Sequence, residues 1–115
     1  NISVVRSWSE VINKGEEIVL YGAGDVGDIY YRQIVTTGYC IIKAWIAKTA
    51  WLEYSSIVKS PEELAKYKHE RIVIAALYSE TADSIIKDLK DMGVNEERIV
   101  WRTPWINGAG VLCDT

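Results

Sequence analysis

The residues with the clearest chemical potential are Gly22, Ala23, Gly24, Asp25, Val26 and Gly27, which together have the spacing GxGxxG. In such a turn the first glycine permits a tight exit from a strand. The second lets a pyrophosphate approach the backbone, and the third lets the following helix pack close to the strand. The helix N-terminus then contributes free N–H groups and partial positive charge, which suit an anion. The context fits, because the turn follows the apolar run Ile18-Val19-Leu20-Tyr21 and precedes a stretch of helical periodicity. Two readings stay open. The turn holds phosphate, or its glycines serve only strand-to-helix packing. Asp25 places a negative charge beside the phosphate position unless it caps the helix or points away.

Other residues test the first reading. A fold that binds NAD wants Asp or Glu about 20 residues beyond the glycines, to hold the ribose hydroxyls. That position falls at Ala47, within Trp45-Ile46-Ala47-Lys48, and the next acid is Glu53. Lys48 is a candidate for a 2′-phosphate or another anion, against the plainer reading of a solvated loop lysine. Ala76, Leu77 and Tyr78 follow another apolar run, Arg71 to Ala76. If that run lies beside Ile18–Tyr21, these residues face the glycine turn. Tyr78 could then stack on a base or sugar, against the alternative of a surface tyrosine before a helix cap.

Several patterns carry no chemistry. Tyr39 and Lys43 have the YxxxK spacing of short-chain dehydrogenases, but they open a strand, where i and i+4 do not share a helical face. His69, the one histidine, sits in the charged segment Lys68-His69-Glu70-Arg71 and reads as exposed, with no nucleophile partner. With one His and two distant cysteines, no Cys/His metal site can be assembled. Cys40 reads as a reduced core thiol. No catalytic residue is identified.

The elements that must position these residues can be read from punctuation and period. Ser7-Trp8-Ser9-Glu10 is a capping box that opens a helix over about 7–14, stopped by Gly15. Ile18–Tyr21 is a buried strand. A helix runs from Asp25 to Gly38, with Val26, Ile29, Tyr30, Gln33 and Ile34 on one face. Cys40–Ile46 is the second strand, with a short strand expected at Ile57-Val58. Ser60-Pro61-Glu62-Glu63 is a second capping box, and its helix runs to about Lys68. Arg71–Ala76 is a strand. Ser79 caps a helix with apolar face Ala82, Ile85, Ile86, Leu89 and Met92, and Gly93 ends it. Arg98–Trp101 is the last strand. This alternation implies right-handed crossovers and a parallel sheet covered on both faces. The expected fold is therefore α/β: a three-layer, Rossmann-like sheet of four to five strands within one domain over 1–101. Residues from 102 onward read as a tail or linker.

Composition narrows the function classes. The net charge of −3 and the scattered Lys and Arg argue against a nucleic-acid partner. No stretch approaches the ~20 apolar residues of a membrane span, and the expected compartment is the cytoplasm. Five Trp among 115 residues are many for a small core. One or two of them are therefore candidates for an interface, including a homodimer contact, against the plainer reading that they cap the core. Asn1 at the start and the glycine-bearing end suggest a domain of a longer protein.

The strand–GAGDVG–helix unit is joined by Ala44-Trp45-Ile46-Ala47-Lys48, Ser60-Pro61-Glu62-Glu63-Leu64, Ile72-Val73-Ile74-Ala75-Ala76, Leu89-Lys90-Asp91-Met92-Gly93-Val94 and Arg98-Ile99-Val100. In this set the chain resembles, over about 16–101, the small Rossmann-like modules attached to bacterial glycosyltransferases, sugar acyltransferases and other polysaccharide-biosynthesis enzymes. The resemblance implies a non-catalytic module that binds a nucleotide or nucleotide-sugar, with NAD(P) as another possible cofactor. The ligand contacts it implies are the glycine turn and the Ala76-Leu77-Tyr78 edge. Relatives commonly end the second strand in Asp, and Ala47 departs from that. The alternatives are a docking or dimerisation module without a ligand, or a fragment of an NAD(P)-dependent sugar oxidoreductase.

Overall fold

We describe the protein from a computed structural model, over residues 12–54, 56–107 and 110–113. The centre is β1 (Glu17–Tyr21), in which Ile18, Val19, Leu20 and Tyr21 are all buried. A strand apolar on both faces needs cover on both faces, and β1 has it. It pairs in parallel with β2 (Ile41–Ile46) on one side and β4 (Arg71–Ile74) on the other. The two-residue strands β3 (Val58–Lys59) and β5 (Ile99–Val100) extend the sheet, giving the order β3-β2-β1-β4-β5. All four pairings are parallel.

The two-residue alternation of the strands divides the core. Ile18, Leu20 and Val73 face α1 (Asp25–Thr37), which buries Val26, Tyr30 and Ile34 at i, i+4 and i+8. Val19, Tyr21, Ala44, Ile46, Ile72 and Ile74 share the other core cluster with Ala82, Ile85 and Leu89 of α2 (Ser79–Asp91) and with Leu64. The expected three-layer, Rossmann-like α/β architecture is therefore present, with α1 and α2 on opposite faces.

The local details differ in places. Neither helix takes a side-chain cap: Gly24 and Tyr78 are the N-cap residues, so Asp25 and Ser79 are already helical. The Ser60 box opens a 3-10 helix, Pro61–Lys66, also without a side-chain cap. Backbone closure by Glu63 N–H onto the Ser60 carbonyl does that work. Met92 was expected on the apolar face of α2 but lies beyond its end and is 49% exposed. The opening helix expected over 7–14 lies largely outside the described residues, and its last part, Ile12–Gly15, is a bend and turn. The segment read as a tail carries a two-stranded antiparallel ribbon, β6 (Pro104–Asn107) with β7 (Gly110–Cys113). Asn107 and Gly110 pair across its turn, a feature the dipeptide Asn107-Gly108 would have signalled. Among the described residues no helix is long and apolar enough to cross a membrane.

Polar groups at the amino edge of the sheet hold β1 against β4. The buried carboxylate of Glu16 accepts from the Asn13 N–H and from Arg71 Nε at 3.0 Å. Cys40 is buried nearby, and its thiol is pushed up to about 11 by burial and then by the Glu16 charge, which keeps it protonated.

His69 was expected to be exposed, but it is half-buried. Its Nδ1 lies 2.6 Å from the Tyr67 carbonyl oxygen, which assigns the proton to Nδ1, while Nε2 is buried without a hydrogen-bond partner. Burial lowers its pKa below the ordinary value, the Tyr67 carbonyl opposes this, and the Arg98 charge adds to the lowering. The neutral form is therefore favoured in the fold. As pH falls below about 6.5, the unfolded chain takes up a proton that the folded chain resists. Stability is lost through that window until the folded imidazole also protonates. Urea unfolding between pH 7.5 and 5 should give a free energy that falls with pH, with a shallower fall in His69→Asn. Parallel curves for the two proteins would show that His69 does not contribute.

Candidate functional site

The parallel ladder continues past the strands at their carboxyl ends. Gly22 N–H donates to the Ile46 carbonyl (2.7 Å), Ala75 N–H to Tyr21 (2.8 Å) and Ala47 N–H to Lys59 (3.1 Å). These bonds fix where the loops leave the sheet. The chain leaves β1 toward β2 but returns to the other side of β1 as β4, so the strand order reverses between β1 and β4. Crevices at such a reversal are the usual ligand sites of open α/β sheets.

The glycines of the turn have different duties. Gly22 has φ +121°, and a Cβ there would lie 2.6 Å from the Ala75 carbonyl oxygen. A Cβ on Gly27 would overlap the Gly22 carbonyl, so this glycine lets α1 pack onto the strand exit. Gly24 is different: a Cβ there would meet nothing within 4 Å. Packing therefore gives no reason for a glycine at this position.

A cleft of about 640 Å³ opens at this edge, within the ~300–1,000 Å³ usual for small-ligand pockets. Gly22, Ala23 and Gly24 line it, together with Lys48 from the loop after β2 and Thr81 and Ser84 from α2. Tyr21 also lines it, with its phenol pushed up to about 12 by burial and then by the charges of Asp88 and Glu62. It stays a proton donor at any ordinary pH. The Lys48 ammonium is 2.6 Å from the Asp88 carboxylate on α2. Among the described residues, Glu80 is the one carboxylate on the cleft lining. A second cleft of about 340 Å³ lies on the α1 side, and Ala23 and Gly24 line it too, with Asp25, Trp45 and Tyr54.

The structure thus brings Gly22, Ala23, Gly24 and Lys48 together around one cleft and places Asp25 in the next. Val26 and Gly27 are buried in packing. Ala76, Leu77 and Tyr78 line neither cleft: Ala76 is buried, Leu77 packs on the α1-side core and Tyr78 is exposed. Ala47, where a ribose-binding acid would stand, is buried.

Two tryptophans to which the sequence assigned no hydrogen bond hold this edge. Trp45 Nε1 donates to the Gly22 carbonyl at 2.6 Å, and its ring stacks on Tyr31 with centroids 4.5 Å apart. Trp101 Nε1 donates to the Ala76 carbonyl at 2.9 Å. The signal that could have found Trp45 is strand parity, which puts it on the α1 face where a covered indole N–H needs an acceptor. Thr81, Ser84 and Asp88 were also legible as a polar i, i+3, i+7 stripe on α2 beside its apolar face.

This division of labour gives a contrast in stability. Gly22→Ala and Gly27→Ala should each cost ~2–3 kcal/mol, because backbone must shift. Gly24→Ala should cost less than ~1 kcal/mol, the difference between Gly and Ala at an N-cap. Chemical denaturation of the three variants measures this, and equal losses at all three positions would contradict the assignment.

A comparison with curated proteins finds no match. The profile of the family described as C2185-like, N-terminal, matches residues 14–100, which takes in the whole parallel sheet and both helices. The chain belongs to the C2185-like N-terminal family.

Proposed function

We propose that this domain binds a nucleotide or nucleotide-sugar at the carboxyl edge of the sheet, between the ends of β1 and β2 and the start of α2, as a non-catalytic module of a longer sugar-transfer or polysaccharide-biosynthesis protein. The observation that carries the reading is the cleft whose wall is Gly22-Ala23-Gly24, open at Gly24, between the loops after β1 and β2 and the start of α2. The phosphates lie against the turn and the N-terminus of α1, whose first amides have no intrahelical acceptor. Lys48 supplies the charge, and the hydroxyls of Thr81 and Ser84 supply hydrogen bonds from the opposite wall.

The same features set the ligand class. With Ala47 and Lys48 at the end of β2, the cleft lacks the carboxylate that grips an NAD ribose there. It favours a ligand with phosphate near Lys48. The polar groups are arranged for holding a ligand, since Tyr21 is kept protonated and the Lys48 ammonium lies beside Asp88 at the cleft. The association with sugar transfer rests on the sequence resemblance, and the family's description as an N-terminal domain supports a place within a longer chain.

A thermal-shift panel of UDP, CDP, GDP and ADP, their sugar conjugates, NAD and NADP tests the binding. A ligand at 100 times its Kd stabilises by about 2.7 kcal/mol. At least one nucleotide should raise Tm, and Gly24→Ala should abolish the shift while leaving the unliganded Tm nearly unchanged. The exposed Lys48–Asp88 pair contributes little to stability but competes with the ligand for the ammonium. Asp88→Asn should therefore tighten binding severalfold, and Lys48→Met should weaken it about tenfold, or ~1.4 kcal/mol. No shift with any nucleotide at millimolar concentration would overturn the proposal.

A further inference from the structure

The second cleft differs in chemistry from the first, yet the two share the turn. Ala23 and Gly24 line both, so a phosphate group on the turn has a cleft on each side. The first cleft holds Lys48 and hydroxyls. Among the described residues the second is lined by two carboxylates, Asp25 and Asp28, by Trp45 and Tyr54, and by Ile57 and Val58, and Asp28 is already paired with the exposed Arg32 at 3.1 Å. A further phosphate or a carboxylate would be repelled there. A purely apolar group would cover the Asp25 carboxylate without giving it a donor.

The aromatic residues narrow the occupant. The Trp45 N–H is engaged by the Gly22 carbonyl, so the indole offers carbon surface rather than a donor. The ring is held in place by its stack on Tyr31. Tyr54 is 58% exposed beside it, a large aromatic side chain left open to solvent at the cleft mouth. Carbon surface next to acceptor-only carboxylates suits a group with C–H faces and O–H edges. That description fits a pyranose ring.

Resting on the nucleotide reading above, we propose that the second cleft is a glycosyl subsite: it receives the uncharged sugar of a nucleoside-diphosphate sugar whose diphosphate crosses the turn at Ala23-Gly24. The base and ribose occupy the Lys48 side. Sugar hydroxyls donate to Asp25 and Asp28, and the ring lies against Tyr54 and Trp45. Asp25, a poor neighbour for phosphate, thereby has a purpose as a hydroxyl acceptor and as a filter against acidic sugars.

Isothermal titration with matched ligands tests this. UDP, UDP-glucose and UDP-glucuronate form one set, and ADP with ADP-glucose, GDP with GDP-mannose and CDP with CDP-glucose supply the other bases. In whichever base series binds, the neutral sugar conjugate should bind at least tenfold more tightly than the free diphosphate. Tyr54→Ala should remove that advantage and leave the diphosphate affinity within twofold. This variant carries no charge change, so it separates sugar contact from relief of phosphate repulsion. UDP-glucuronate should bind at least fivefold more weakly than UDP-glucose in a uridine-binding protein, and Asp25→Asn should narrow the gap. A diphosphate that binds equally well without its sugar, or a sugar advantage that survives Tyr54→Ala, would overturn the subsite and leave the nucleotide reading standing. No binding in any series would overturn both.

Discussion

The carbonyl oxygen of Gly22 is approached from two sides. Gly27 brings the first turn of α1 against it, so closely that a methyl group there would overlap it. The Trp45 indole donates to it from β2. That oxygen therefore sets the distance between helix and sheet, and with it the position of every residue in the turn. A carbonyl held this way cannot rotate without losing a hydrogen bond in a half-buried place, which costs roughly 1–3 kcal/mol. The turn is thus held by its own packing and hydrogen bonds, and under the proposed function a donor array fixed in advance loses less entropy on binding than a flexible one.

The rest of the edge repeats this logic. Trp101 fixes the Ala76 carbonyl after β4, as Trp45 fixes Gly22 after β1. Two of the five tryptophans are thus accounted for by hydrogen bonds to main chain, and their rings complete the core under loops that could not otherwise be covered. The same edge keeps Lys48 poised between Asp88 and the cleft.

Much of this could be read from residue order, for physical reasons. A continuous apolar run such as Ile18–Tyr21 has no other stable place than the middle of a sheet covered on both faces. Glycines at fixed spacing after it leave few alternatives to a strand–turn–helix exit. What could not be read was side-chain partnership across distant segments. Nothing near Lys48 in the chain announces Asp88, forty residues on. His69 looked exposed from its charged neighbours, yet the fold half-buries it against Tyr67 and Arg98. The Ser60 capping box failed because Ser60 is buried and backbone bonds close the turn instead. The Ala76–Tyr78 edge was expected to face the turn because β4 neighbours β1. It does neighbour it, but the chain bends so that these residues line neither cleft.

The account depends on the open face of Gly24 being a contact surface rather than an accident of packing. Amide NMR spectra of the 15N-labelled chain, titrated with the nucleotide that most raises Tm, test this directly. Saturable shifts should concentrate at Ala23, Gly24 and Asp25, at Lys48 and Thr49, and at Thr81 and Ser84. Shifts confined to other surfaces, or a turn that stays silent while the ligand binds, would contradict it.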